Sequence, residues 1–166
     1  IMYDRLTESY WTQIGGRAIV GELTGVTLEP ISINTVVWGT WKDLVPDAQV
    51  LSRNTGRPRS YGRDPYGAYY TERYLMFPVE NNDKRLHPKD VVYGIEVEGV
   101  FKAYPEDDVL LAEVLVDKLG GASIEVRTDG NGAVTFTNLD NGYEIVKERD
   151  FWFAWAAFHP DTLLYQ

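Results

Sequence analysis

Cysteine is absent from the 166 residues, and histidine occurs only twice. The first absence excludes a disulfide framework, a thiol nucleophile and a thiolate zinc site. The second leaves no pair of imidazoles at metal-ligand spacing, and neither a metal nor another cofactor is expected. No apolar run approaches the ~20 residues of a membrane-spanning helix, so no span is predicted. The opening Ile1-Met2-Tyr3-Asp4-Arg5 carries no targeting signal, as expected where a leader has been removed or where the chain starts inside a longer one. Basic residues are the scarcer charge: 16 Lys and Arg against 25 Asp and Glu give a net charge of -9. That field repels phosphate and argues against nucleic acid or an anionic membrane as partner. Gly-x-Ser-x-Gly, P-loop and His-Glu-x-x-His strings are also missing.

Aromatic residues are abundant, at 13% of the chain, with 5 Trp, 11 Tyr and 6 Phe. The apolar fraction of 44% is that of an ordinary globular protein. No linker-like stretch interrupts the sequence, and residues 1–166 are read as a single domain large enough to bury a core without staples. Short β-type runs dominate: Ser9–Gln13, Arg17–Leu23, Ile33–Val37, Gln49–Ser52, Val91–Val97, Val100–Tyr104, Ala122–Arg127, Ala133–Thr137 and Tyr143–Lys147. Asp129-Gly130-Asn131-Gly132, Asn141-Gly142 and Glu98-Gly99 mark hairpin reversals. Helices are few. Pro105 followed by Glu106, Asp107 and Asp108 opens one over Val109–Leu115, with acids at the positive end of its dipole. Trp38–Leu44 and Phe151–Phe158 are the other two. The expected class is α+β, β-dominated, with antiparallel sheets and two or three short helices.

One internal echo is visible. Trp38-Gly39-Thr40-Trp41 leads to Pro46-Asp47 and Val50-Leu51; Trp152-Phe153-Ala154-Trp155 leads to Pro160-Asp161 and Leu163-Leu164 in the same register. Tryptophans at i and i+3 share a helix face, so the spacing predicts a short helix, a Pro-Asp turn and a strand, twice. Chance clustering of aromatics is the alternative.

The strongest candidate for chemistry is the segment Arg53–Arg73. It holds Arg53, Arg57, Arg59, Arg63 and Arg73 against Asp64 and Glu72, with no lysine, and interleaves Tyr61, Tyr66, Tyr69 and Tyr70. Arginine favours bidentate contacts to carboxylate or phosphate and stacking on aromatic faces. Arg57, Arg59, Tyr61, Arg63 and Tyr66 are therefore candidate binding residues for a small anionic or polar ligand. The competing reading docks this loop on the acidic segment Glu96–Asp117 of the same chain. Asp4, Arg5 and Asp64 are candidate catalytic residues, an Asp as general base with a nearby Arg stabilising developing negative charge. Thr7, Ser9, Trp11 and Gln13 would share one face of an extended strand, as a polar-ligand platform or an ordinary solvated face. His87 and His159 each precede a proline and read as turn residues. Asp-Gly-Asn-Gly at 129–132 lacks the other ligands of a calcium loop.

Several strings together resemble the domain of unknown function 3179 family. They are Met2–Gln13, Arg63-Asp64-Pro65-Tyr66-Gly67-Ala68-Tyr69, Phe77-Pro78-Val79, Asp83–Lys89, Lys102-Ala103-Tyr104-Pro105 and Phe151–Thr162. The resemblance implies an extracytoplasmic protein (periplasmic, cell-surface or secreted) and brings no established activity. It also implies a preceding half with a Cys-Pro-Leu-Cys motif, which this chain lacks, so the chain reads as the C-terminal part of a longer family domain. Three functions remain open: an extracytoplasmic binding or interaction module, an enzyme using Asp4 or Asp64, and a structural subunit of a cell-surface assembly. A missing N-terminal half or self-association would supply the partner.

Overall fold

A computed structural model describes residues Ile1–Gln166. The chain begins with β1 (Met2–Asp4), β2 (Ser9–Trp11) and β3 (Ala18–Val20), then α1 (Trp38–Leu44) and a single 3-10 turn at Gly67–Tyr70. The second half holds β4 (Val91–Val97), β5 (Val100–Pro105), α2 (Glu106–Ala112), β6 (Val114–Leu119) and β7 (Ala122–Thr128). It continues with β8 (Val134–Asn138), β9 (Glu144–Ile145), β10 (Lys147–Phe151), α3 (Trp152–Phe158) and β11 (Leu163–Leu164). Three sheets result, ordered β1-β2-β3, β10-β4-β5-β11 and β6-β7-β8-β9. All pairings between these strands are antiparallel except β5 with β11, so the fold is β-dominated α+β.

The β4–β5 hairpin is the centre of the second half. Glu98 and Gly99 take positive φ values of 51° and 77°, the left-handed pair that a two-residue turn needs to match strand twist. Both faces of the hairpin are covered. Tyr93, Ile95, Val97 and Tyr104 meet Ile124, Val126, Val134 and Phe136 of the β6–β9 sheet, with Val109 of α2 closing the layer. On the other face Val92 and Ala103 meet Trp152, Trp155 and Ala156 of α3. Period-2 burial in β7 supplies its half of the first layer, since Ala122, Ile124 and Val126 are buried and alternate with more exposed residues. Gly94 lies opposite Ala103 in the ladder. A Cβ at position 94 would sit inside the indole of Trp155, so only glycine lets α3 approach this closely.

Several expectations are corrected. Ile33–Val37 and Gln49–Ser52 are β-type in sequence but form no strand; an extended run needs a neighbouring strand to pair with, and these have none. The first expected helix stops at Ala112 because Glu113 turns left-handed (φ 58°), and Val114–Leu119 becomes β6. The run expected at Tyr143–Lys147 divides into β9 and β10, and the latter continues to Phe151. The two Trp-x-x-Trp helices have the same length. Val37 and Phe151, which precede them, are both extended, at φ -70°, ψ 116° and φ -70°, ψ 144°. Val45 and His159, which end them, adopt φ -126°, ψ 74° and φ -125°, ψ 72°, each donating its N–H to the second tryptophan's carbonyl.

Gly94→Ala should therefore lower the unfolding free energy by about 1–3 kcal/mol through overpacking against Trp155. Gly130→Ala, where nothing lies within 4 Å, should change it far less. Urea denaturation of the two variants checks this, and equal effects would refute the packing described.

Candidate functional site

The Arg53–Arg73 segment is an exposed loop held by its own turn chemistry. Asp64 Oδ1 accepts the Tyr66 N–H at 2.8 Å and the Tyr70 hydroxyl at 3.4 Å. The Tyr66 ring meets Tyr69 and Tyr70 at centroid distances of 6.2 and 6.1 Å, and Tyr70 reaches Phe151 at 6.0 Å. Tyr61 and Thr55 share a hydroxyl–hydroxyl hydrogen bond of 3.3 Å. The anchor is Lys89, a buried lysine. Its Nζ donates to the carbonyls of Glu72, at 2.6 Å, and Tyr74. It also lies 4.1 Å from the Tyr69 ring centroid. Burial pushes the pKa of this ammonium down, and the carbonyls and ring stand in for the water it has lost.

None of Arg53, Arg57, Arg59, Arg63 or Arg73 forms an ion pair. The docking of this loop on Glu96–Asp117 is not found. Those acids find other cations: Glu106 holds Arg149 through two bonds of 2.7 and 2.9 Å, and Asp117 holds Lys102 at 2.5 Å. Arg57, Arg59, Tyr61, Arg63 and Tyr66 thus face solvent on one loop, with the guanidinium groups free.

The other sequence candidates lie apart from this loop. Asp4 caps a turn, accepting the Leu6 N–H at 2.8 Å and the Thr7 hydroxyl at 2.6 Å. These bonds, the one from Thr7 foremost, hold its carboxyl below the usual range. Arg5 is exposed and has no side-chain partner, and no arginine bonds to Asp4 or Asp64. The row through Thr7, Ser9, Trp11 and Gln13 turns its centre inward, because Ser9 and Trp11 are buried. Ser9 Oγ instead accepts the Leu23 N–H at 3.1 Å, and so serves packing rather than a ligand. His87 Nδ1 accepts the Lys89 N–H at 3.2 Å. His159 stacks on Phe101 at 4.1 Å, its Nε2 is buried without a partner, and burial lowers its pKa.

The sequence reading missed a cleft of about 520 Å³ at the open edge of β10. Gln13, Ile14 and the Thr27–Ile31 turn form one wall; Tyr93 and Val146–Asp150 form the other. Strand alternation sends Lys147 and Arg149 to one face and Glu148 and Asp150 to the other. The cations are satisfied: Lys147 Nζ donates to Ser32 Oγ at 2.9 Å, and Arg149 is clamped by Glu106. Tyr93 donates to the same Glu106 at 3.0 Å, and burial followed by that acceptor pushes its pKa up to about 12. The acids have no hydrogen-bond donor within the chain. Burial raises the pKa of both, and for Glu148 the charge of Asp150 adds to it. Two acids held toward the neutral form can donate or accept a proton. No group of three or more His, Asp or Glu side chains converges on a metal-sized site. The available signal was Lys-Glu-Arg-Asp at 147–150, alternating charge within a β-type run.

A family model described as "Protein of unknown function (DUF3179)" matches residues 1–147. No curated protein and no solved structure matches the chain.

Because Glu148 and Asp150 titrate above their unfolded values, the folded state binds more protons than the unfolded one from the ordinary carboxylate range upward. Their favourable contribution is complete below about pH 4 and is lost as the pH rises through the elevated values. The double variant Glu148→Gln/Asp150→Asn should melt higher than wild type at pH 7, with the gap closing toward pH 4. Thermal melts at the two pH values check this, and a gap independent of pH would refute it.

Proposed function

We propose that this chain, which belongs to the DUF3179 family, is a protein-interaction module whose first half presents an apolar face edged by arginine to an acidic partner protein. The observation that carries this reading is surface area. The chain exposes 11,762 Å², whereas a compact monomer of its mass exposes about 8,300 Å². The excess is concentrated: residues 19 to 87 contain no buried residue, and Ile31, Trp38, Leu44, Leu51 and Phe77 are all exposed. An apolar surface on this scale marks a protein contact.

Arg57, Arg59 and Arg63 give that face its charge, and Tyr61 and Tyr66 give flat surfaces with hydroxyls. Exposed guanidinium groups unclaimed by the chain's own acids suit partner carboxylates, and Arg and Tyr are favoured where interfaces bind tightly. A small anionic ligand is the minimal form of the same contact. The family resemblance supports an extracytoplasmic setting, and no helix is long and apolar enough to cross a membrane. A second reading, proton-transfer chemistry in the β10 cleft, draws support from the unpartnered Glu148 and Asp150. It gives the acid–base role to them in place of Asp4 and Asp64, whose carboxylates cap turns.

Fluorescein-labelled octaglutamate, titrated against the protein and followed by anisotropy, tests the first reading. Binding at low salt is expected, weakening by roughly three- to tenfold in Arg59→Ala/Arg63→Ala, as loss of two exposed charge contacts implies, and falling steeply in high salt. No binding, or binding unchanged in the folded double variant, would overturn it. Tighter binding of a labelled oligothymidylate would also overturn it, in favour of nucleic acid.

A further inference from the structure

The surroundings of α3 explain what α1 lacks. β10 leads into α3, β11 follows it, and the β4–β5 hairpin lies between those two strands in the sheet. α3 then packs over the hairpin: Trp152 and Trp155 bury against Val92 and Ala103, with the Trp155 ring in the space left by Gly94. Position for position, Ile33–Val37 corresponds to β10, α1 to α3, Pro46-Asp47 to Pro160-Asp161, and the run after it to β11. The backbone agreement continues past the helices. The Ala48 N–H donates to the Val45 carbonyl at 3.0 Å, as the Thr162 N–H donates to the His159 carbonyl at 3.0 Å.

What differs is the cover. Trp152 and Trp155 are buried, whereas Trp38 is 52% and Leu51 97% exposed, and α1 contributes nothing to either core cluster. The two runs that should flank a hairpin, Ile33–Val37 and Gln49–Ser52, are the β-type segments that form no strand. No pair of strands in the chain lies between them.

We infer that α1, with Ile33–Val37 and Gln49–Ser52, is a receptor for a β-hairpin of a partner protein. The hairpin enters between the two runs as β4–β5 enters between β10 and β11, and main-chain pairing converts both runs into strands. The fit specifies the partner's chemistry. It carries glycine facing Trp41, because a side chain there would collide with the indole as one at position 94 would with Trp155. It carries a small residue beside that glycine on the neighbouring strand, in the place of Ala103. It also offers an acceptor to the Trp41 indole N–H. The Trp155 indole donates to Thr162 Oγ1 at 2.9 Å, but Ala48 stands at the corresponding position and has no oxygen in its side chain. This inference rests on the interaction reading above and narrows its partner to one structural class.

The probe is a cyclic peptide of the Val91–Pro105 sequence, closed by a second turn so that its strands are held in register. It is titrated into the full chain while acrylamide quenching of tryptophan fluorescence is measured. Trp11, Trp152 and Trp155 are buried, so Trp38 and Trp41 dominate the quenching. Saturable protection is expected, with the quenching constant falling about twofold as these rings leave solvent. The same peptide with Gly94→Val should not protect, and neither should the native peptide added to the Trp41→Ala protein. A peptide with a hairpin circular-dichroism spectrum that leaves quenching unchanged up to about 1 mM, the limit of even weak association, overturns the inference. So does equal protection by both peptides, or sedimentation showing a dimer whose tryptophans are already shielded. If octaglutamate still binds while the hairpin does not, only the hairpin assignment falls. If neither binds, the interaction reading falls with it.

Discussion

Everything ordered in the second half depends on the close approach of Trp155 to Gly94. It lets a helix of two turns lie directly on a hairpin whose other face already serves a second sheet. A strand buried on both faces has no solvated side to tolerate polar residues. Accordingly, Val92, Tyr93, Gly94 and Ile95 are consecutively buried. Position 94 thus couples two clusters that share no side chain, and the first layer keeps its backing only while the indole fits. The same coupling explains the contrast with residues 19 to 87, where α1 offers similar chemistry and nothing receives it.

The elements legible in the sequence are those whose ends are set locally. Glu98-Gly99, Asn141-Gly142 and Asp129–Gly132 mark reversals through their own backbone preferences, and the strands beside the first of them fall where expected. The helix over Trp38–Leu44 was legible because tryptophan spacing and the following proline act at short range. β6 was hidden by the helix signal before it, and only the left-handed turn at Glu113 separates the two. β10 was hidden because Lys147-Glu148-Arg149-Asp150 reads as a solvated run until its place in a sheet is known. Ile33–Val37 shows the reverse failure: strand propensity is present and the pairing partner is not.

The candidate sites divide along the same line. Exposure of the Arg–Tyr loop follows from composition, since a Gly- and Pro-rich segment dense in guanidinium groups has no way into a core. That its arginines stay unpaired did not follow, because it depends on Arg149 and Lys102 reaching the acids first. Nor could sequence reveal Lys89 as the residue under the loop, for an isolated lysine in a polar stretch is by default exposed. The cleft beside β10 is assembled from the Gln13–Gly16 and Thr27–Ile31 turns and from a strand more than a hundred residues later, and no local pattern joins them.

The alternating charges of β10 bear on what may grow from that strand. It is the outermost member of its sheet, and its far side has no strand beside it. Stacking copies in parallel register, the arrangement from which fibrils extend, would set Glu148 against Glu148 and Arg149 against Arg149 at the spacing of adjacent strands. An antiparallel neighbour centred between those two residues would instead match Lys147 with Asp150 and Glu148 with Arg149. Such a pair uses up both edges as it forms. The four charges therefore leave this margin open to a single companion and closed to indefinite growth.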